Sequence, residues 1–113
     1  MPRKNLTPSS APAAVADLAR QLGGNVAVAR RRRRLRQLDL ATKAGITRAT
    51  LGRIEAGALG TALGAYLATL WALGLEGDVA RLASPEADSE GVALAAARLG
   101  RRVRQVRQLS DDF

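Results

Sequence analysis

The chain has 113 residues, a formal net charge of +8, and neither cysteine nor histidine. That length supports one small domain with tails and a modest core, to which dimerisation could add apolar burial. The absent thiols and imidazoles exclude disulfides, thiol nucleophiles, imidazole bases and zinc sites of the Cys/His type.

Tyr66, Trp71 and Phe113 are the whole aromatic set, so the core must be built from Leu, Ala, Val and Ile. Those residues suit helices better than strands. Arginine supplies almost all of the positive charge and is well shaped for bidentate contacts with phosphate and guanine. The balance implies a polyanionic partner, with a merely solvated basic surface as the alternative. No apolar run approaches the roughly 20 residues that cross a bilayer. Residues 1–12 lack the apolar segment of a signal peptide, so a cytoplasmic protein is expected.

In chain order, residues 1–12 are polar and proline-rich and read as a disordered tail. Val15, Leu18 and Leu22 give 13–22 helical spacing, and Gly23-Gly24 reads as its stop. Asn25 can cap a second helix running to about Arg36. A third, 38–44, begins at Gln37 or Leu38 and closes on Gly45, and a fourth, 48–56, is capped by Thr47 and ended by Gly57. Thr61 is expected to cap 62–73, whose apolar face carries Leu63, Leu67, Leu70 and Leu73. Trp71 reads as core packing, with a partner-interface residue as the alternative. Residues 77–83 form a further short helix. Residues 84–91 read as an acidic, turn-rich linker. Residues 92–109 return to an Ala/Leu/Arg pattern, with a helix favoured and a basic strand near 101–107 as the competing reading.

The informative stretch is 37–57, QLDLATKAGITRATLGRIEAG. Leu40 and Ala41 face inward on a short helix, and Ala41 is small because the next helix crosses close to it. Gly45 makes the turn and Ile46 plugs the gap. Leu51 and Ile54 are the buried side of the second helix. Arg48, Ala49, Thr50 and Arg53 are left facing outward near its N-terminal end. This is the arrangement needed to lay a helix in a major groove with its first residues at base edges. Gly52 is unusual inside such a helix and either permits close backbone approach or is a tolerated flaw.

These residues resemble the Cro/phage-repressor-like, or XRE-like, helix-turn-helix family. The match runs from about Val26 to Leu73 through the pattern Gln-x-x-Leu-Ala-x-x-x-Gly-Ile-Thr-x-x-Thr-Leu-x-x-Ile-Glu-x-Gly. The resemblance implies an all-α, five-helix DNA-binding domain over 13–83, preceded by a tail and followed by an extension, 84–113, for dimerisation or partner binding. It implies that Gln37 meets a phosphate or outer base and that Thr47 caps the recognition helix and reaches a phosphate. Arg48 and Arg53 would read guanine, Thr50 a thymine methyl or phosphate, and Ala49 would offer apolar contact. Arg30 and Glu55 occupy the places of a structural ion pair. Arg31 and Arg34 are the phosphate candidates of the arginine run. No metal, cofactor or catalytic residue is implied.

The wider layout, LGGNVAVARRRR, TRATLGRIEAG, ATLWALGLEGDVARLA, SPEADSEG and RLGRRVR, resembles HipB-like antitoxins. That likeness implies a transcriptional repressor that autoregulates its operon, binds a palindromic operator as a homodimer, sits on the nucleoid when bound, and neutralises a HipA-like kinase toxin. A free-standing XRE-like regulator without a toxin partner is the alternative. The cluster Arg98, Arg101, Arg102, Arg104 and Arg107 could extend a DNA footprint, meet an acidic partner or simply be solvated.

Three rival classes remain open. An enzyme is disfavoured because no carboxylates pair at a spacing that suggests acid/base work and no glycine-rich phosphate loop is present. A non-specific nucleic-acid binder would show equal affinity for random duplexes. A pure protein-interaction module would co-purify with a neighbour without binding an operator.

Overall fold

The computed structural model describes Thr7 and residues 10–111, and every regular element among them is helical. In order these are α1 (Ala13–Arg32), α2 (Gln37–Ala44), α3 (Arg48–Glu55), α4 (Leu63–Ala72), α5 (Glu76–Ala80) and α6 (Ser89–Asp111). The protein is all-α, as its Leu/Ala-rich composition predicts. The chain divides into two compact units, 1–79 and 80–113, slightly ahead of the expected boundary at 83/84. Most of the expected N-terminal tail, and the last two residues, lie outside the described residues. No described helix is long and apolar enough to cross a membrane.

In the first unit, α1 to α4 enclose one small core. Val26 and Ala29 of α1, Leu40 and Ala41 of α2, Leu51 and Ile54 of α3, and Ala72 and Leu73 at the end of α4 form it. Ala44, Ile46, Ala65, Tyr66, Leu70 and Leu75 pack against its edge. Leu40, Ala41, Leu51 and Ile54 are completely buried. At roughly 25 cal/mol per Å² of apolar area removed from water, such side chains are worth about 1.5–3 kcal/mol each. They hold α2 and α3 in one fixed relation.

The sequence reading breaks the first helix at Gly23-Gly24, but the structure runs α1 through both. The reason is packing. A Cβ on Gly23 would lie 2.3 Å from the carbonyl oxygen of Ile54 and 2.7 Å from that of Glu55. Gly23 is therefore the notch where α1 crosses the end of α3. Asn25 caps nothing; it sits exposed inside α1. Gly57 completes the crossing from the other side, because a Cβ there would meet the Arg20 backbone at 2.7 Å.

Four helices end on the same hydrogen bond, from an N–H to the carbonyl five residues earlier. The pairs are Leu35 to Arg30 (3.3 Å), Ile46 to Ala41 (3.0 Å), Ala58 to Arg53 (3.0 Å) and Leu75 to Leu70 (2.8 Å). The residue before each donor is left-handed: Gly45, Gly57 and Gly74 at φ 75–80°, and Arg34 at φ 54°. A side chain in that region costs roughly 1–2 kcal/mol, so Arg34 stands where its three counterparts are glycine.

The expectations for α4 are partly overturned. Ala62, not Thr61, stands at its N-cap, and no side chain caps it. The Thr61 hydroxyl is buried with no hydrogen-bond partner among the described residues. The buried face carries Thr69, Ala72 and Leu73, whereas Leu63 and Leu67 are exposed. Thr69 can be buried because its hydroxyl donates to the Ala65 carbonyl at 2.8 Å. Trp71, expected in the core, is 60% exposed. An all-apolar helix presents apolar residues on every side, so its spacing does not single out an inner face.

The second unit is dominated by α6. It begins at Ser89 rather than 92, because the Asp88 carboxylate accepts a hydrogen bond from the Gly91 N–H at 3.0 Å and caps the first turn. The competing strand near 101–107 is not formed; that segment is helical.

Candidate nucleic-acid interface

The site is built on the outer side of α2 and α3. Thr47 starts α3: its hydroxyl accepts a hydrogen bond from the Thr50 N–H at 3.1 Å. This satisfies one of the open amides of the first turn. The Thr47 and Thr50 hydroxyls lie 2.9 Å apart. Arg53 donates through Nη2 to the Thr50 hydroxyl at 3.1 Å. With Leu51 and Ile54 turned inward, Arg48, Ala49 and Arg53 are exposed and Thr50 is half-buried. A Cβ on Gly52 would meet nothing within 4 Å, so the backbone is open to the outside there.

Behind this surface lies an ordered polar chain. Arg30, reaching from α1, meets the Glu55 carboxylate at both ends: Nε to Oε2 at 2.8 Å and Nη2 to Oε1 at 3.0 Å. Its remaining terminal nitrogen donates to the Leu35 carbonyl at 2.9 Å, tying the α1–α2 loop to the same centre. Only 11% of the Arg30 side chain and 7% of the Glu55 side chain are accessible. Burial opposes ionisation of Glu55, but hydrogen bonds from Arg30 and Gln37 and the positive charge of Arg30 and Arg31 outweigh it. Its carboxyl is held below the usual carboxylate range. Arg30 is correspondingly held charged, by its hydrogen bond to Glu55 against its own desolvation.

Gln37 joins this buried pair to the surface. Its amide nitrogen donates to Glu55 Oε1 at 3.1 Å, and its amide oxygen accepts from Arg48 Nη1 at 3.0 Å. The opposite amide orientation would face oxygen to carboxylate and NH2 to guanidinium, so only this one satisfies both neighbours. Gln37, read as a phosphate or outer-base contact, is thus engaged at both ends and orients Arg48. Sequence reasoning places Gln37, Arg48 and Glu55 individually but misses that they form one chain. The signal lay in the turn geometry that brings position 37 beside the far end of α3.

Two further features escape the sequence reading. Asp39 caps α2, accepting from the Arg36 N–H at 2.9 Å and pairing with the Arg36 guanidinium at 3.0 Å. Hydrogen bonds from the Arg36 side chain and backbone hold the Asp39 carboxyl below its ordinary range. Tyr66 donates to the Ala58 carbonyl at 3.0 Å and fixes the loop after Gly57. Burial pushes its phenol pKa up.

Arg31 and Arg34 are exposed at the C-terminal end of α1 and in the following turn. In the sequence from Leu18 to Leu75 the only carboxylates are Asp39 and Glu55, and each is engaged by an arginine. The surface that combines Arg48, Thr50 and Arg53 has cationic and hydroxyl donors, and both carboxylates within 18–75 are already paired. Chemically it can donate hydrogen bonds to an anionic or acceptor-rich partner. Among the described residues, no group of three His, Cys, Asp or Glu side chains could hold a metal ion. No family model, curated protein or solved structure matches the chain.

Proposed function

We propose that this protein is a sequence-specific DNA-binding transcriptional repressor in which α2 and α3 form a Cro/phage-repressor-like helix-turn-helix. The observation that carries the reading is the division of α3. Leu51 and Ile54 are completely buried while Arg48, Ala49 and Arg53 are exposed on the outer side. With its side chains an α-helix is about 10–12 Å across, which matches a major groove about 12 Å wide.

In this reading Arg48 and Arg53 each present a guanidinium fork to guanine O6 and N7, worth about 1–3 kcal/mol of discrimination per contact. Thr50 and Ala49 meet thymine methyls or the backbone. Thr47 reaches a phosphate beside the first turn, and Gln37 sets the direction of Arg48. Arg31 and Arg34 meet phosphates, which fix register without reading sequence. A homodimer on a palindromic site supplies the length of sequence that one short helix cannot read. The reading needs no cofactor and no catalytic group.

The narrower proposal is an antitoxin that represses its own operon and neutralises a HipA-like kinase. Its support is the sequence resemblance, and co-purification of such a kinase with the full chain tests it.

The DNA reading is tested by selecting duplexes from a random library and measuring competition. A selected operator should bind about 4–10 kcal/mol tighter than random duplex at physiological salt. Equal affinity for all duplexes would reduce the protein to an electrostatic binder.

A further inference from the structure

The second unit offers an interaction surface that the DNA reading leaves unused. On α6, Val92, Ala96, Leu99, Val103 and Val106 follow one another at alternating steps of four and three residues. That spacing is the 3.5-residue repeat of a two-stranded coiled-coil seam. Every one of these side chains is exposed, Leu99 by 64%. Over the fourteen steps from Val92 to Val106 the seam is about 21 Å long.

Charge along the segment is strongly polarised. Glu86, Asp88 and Glu90 lie at or before the start of α6, and Arg98, Arg101, Arg102, Arg104 and Arg107 follow. No carboxylate interrupts 91–110, and Asp111 closes the helix. Arg102 and Arg107 occupy the positions flanking the seam, and these decide which pairing with a like helix is tolerated. In a parallel pair, Arg102 of each copy faces Arg107 of the other. An antiparallel pair in which Leu99 faces Val103 brings the two Arg102 side chains together at the two-fold axis.

A third arrangement remains. With Val92 opposite Val103 and Ala96 opposite Leu99, Arg102 faces Ala95 and Arg107 approaches the acidic segment at Glu86. In the two central layers the small Ala96 faces the larger Leu99, valine faces valine in the outer two, and no arginine confronts an arginine.

We infer that α6 pairs with α6 of a second copy of this chain, antiparallel, with Val92 facing Val103 and Ala96 facing Leu99. The pairing stands whether or not α3 meets DNA, and it gives the second unit an occupant for its apolar stripe.

The chain contains no cysteine, so single cysteines in the full-length protein report the geometry directly. A mixture of the Val92→Cys and Val103→Cys variants should form a disulfide-linked heterodimer under mild oxidation, and Val92→Cys alone should not. In sedimentation equilibrium, Leu99→Asp should weaken self-association at least about tenfold while helical circular dichroism is retained. Efficient self-crosslinking of Val92→Cys would establish a parallel pair and overturn the inference. So would a monomeric wild type, or association that ignores Leu99→Asp and is lost with Trp71→Gln. A monomer whose α6 instead engages vesicles of phosphatidylglycerol and phosphatidylcholine would also overturn it.

Discussion

The amide oxygen of Gln37 accepts a hydrogen bond from Arg48 at 3.0 Å while its nitrogen donates to Glu55 at 3.1 Å. One neutral side chain thereby transmits the position of a buried ion pair to an exposed guanidinium. Gln37→Ala should leave Arg48 in place but undirected. In the proposed DNA role it should lower operator affinity by about 1 kcal/mol, the worth of a typical hydrogen bond. A double-mutant cycle with Arg48→Ala checks it: the two losses should be strongly non-additive. Additive losses would mean that Gln37 acts on its own.

Glu55 makes stability depend on acid. Its folded pKa is lowered, so its contribution is complete above its unfolded value of about 4.3 and is lost as pH falls through the folded value. Urea titrations should therefore show stability falling below about pH 4. Glu55→Gln removes this contribution, so the difference between variant and wild type should be largest at neutral pH and shrink on acidification. Arg30→Ala leaves a carboxylate buried without its main partner and should cost about 3 kcal/mol or more at neutral pH.

Two glycines should respond oppositely to the same methyl group. Gly52→Ala meets nothing within 4 Å and should raise stability by about 0.5–1 kcal/mol. If α3 lies close against DNA, operator affinity should fall as the melting temperature rises. Unchanged affinity would show that Gly52 serves no contact. Gly23→Ala drives a Cβ against the Ile54 carbonyl and should destabilise by several kcal/mol, read by thermal unfolding.

Arg34 separates backbone strain from charge. Arg34→Gly relieves the left-handed conformation and should stabilise the fold by about 1 kcal/mol. In the proposed role both Arg34→Gly and Arg34→Ala should weaken all duplexes alike and lower the salt slope by about one. Arg53→Ala should instead relax base preference at one position. Identical behaviour of the position-34 and position-53 variants in a competition shift assay would argue against sequence reading.

Much of the first unit was legible because α2 and α3 carry unambiguous punctuation. Thr47 and Gly45 leave one workable register, and Leu40, Ala41, Leu51 and Ile54 then have one possible inner side. The Gly23 notch was not legible, since a glycine that admits a neighbouring helix looks in sequence like one that ends its own. The inner face of α4 was hidden for the opposite reason. Between Glu55 and Glu76 no charged residue marks an outside, so Leu63, Leu67 and Trp71 were indistinguishable from core. The Glu55–Gln37–Arg48 chain needed three dimensions, because its members lie 18 and 11 residues apart.

The crossing at Gly23 and Gly57 is secured by the absence of side chains rather than by any contact the outer positions supply. Substitution at 49, 50 or 53 therefore leaves the α1–α3 junction untouched, and substitution at 48 reaches it only through Gln37. In the proposed DNA role, descendants of this chain could change the site they read in single steps without first rebuilding the scaffold, whereas enlarging either glycine would halt that drift at once.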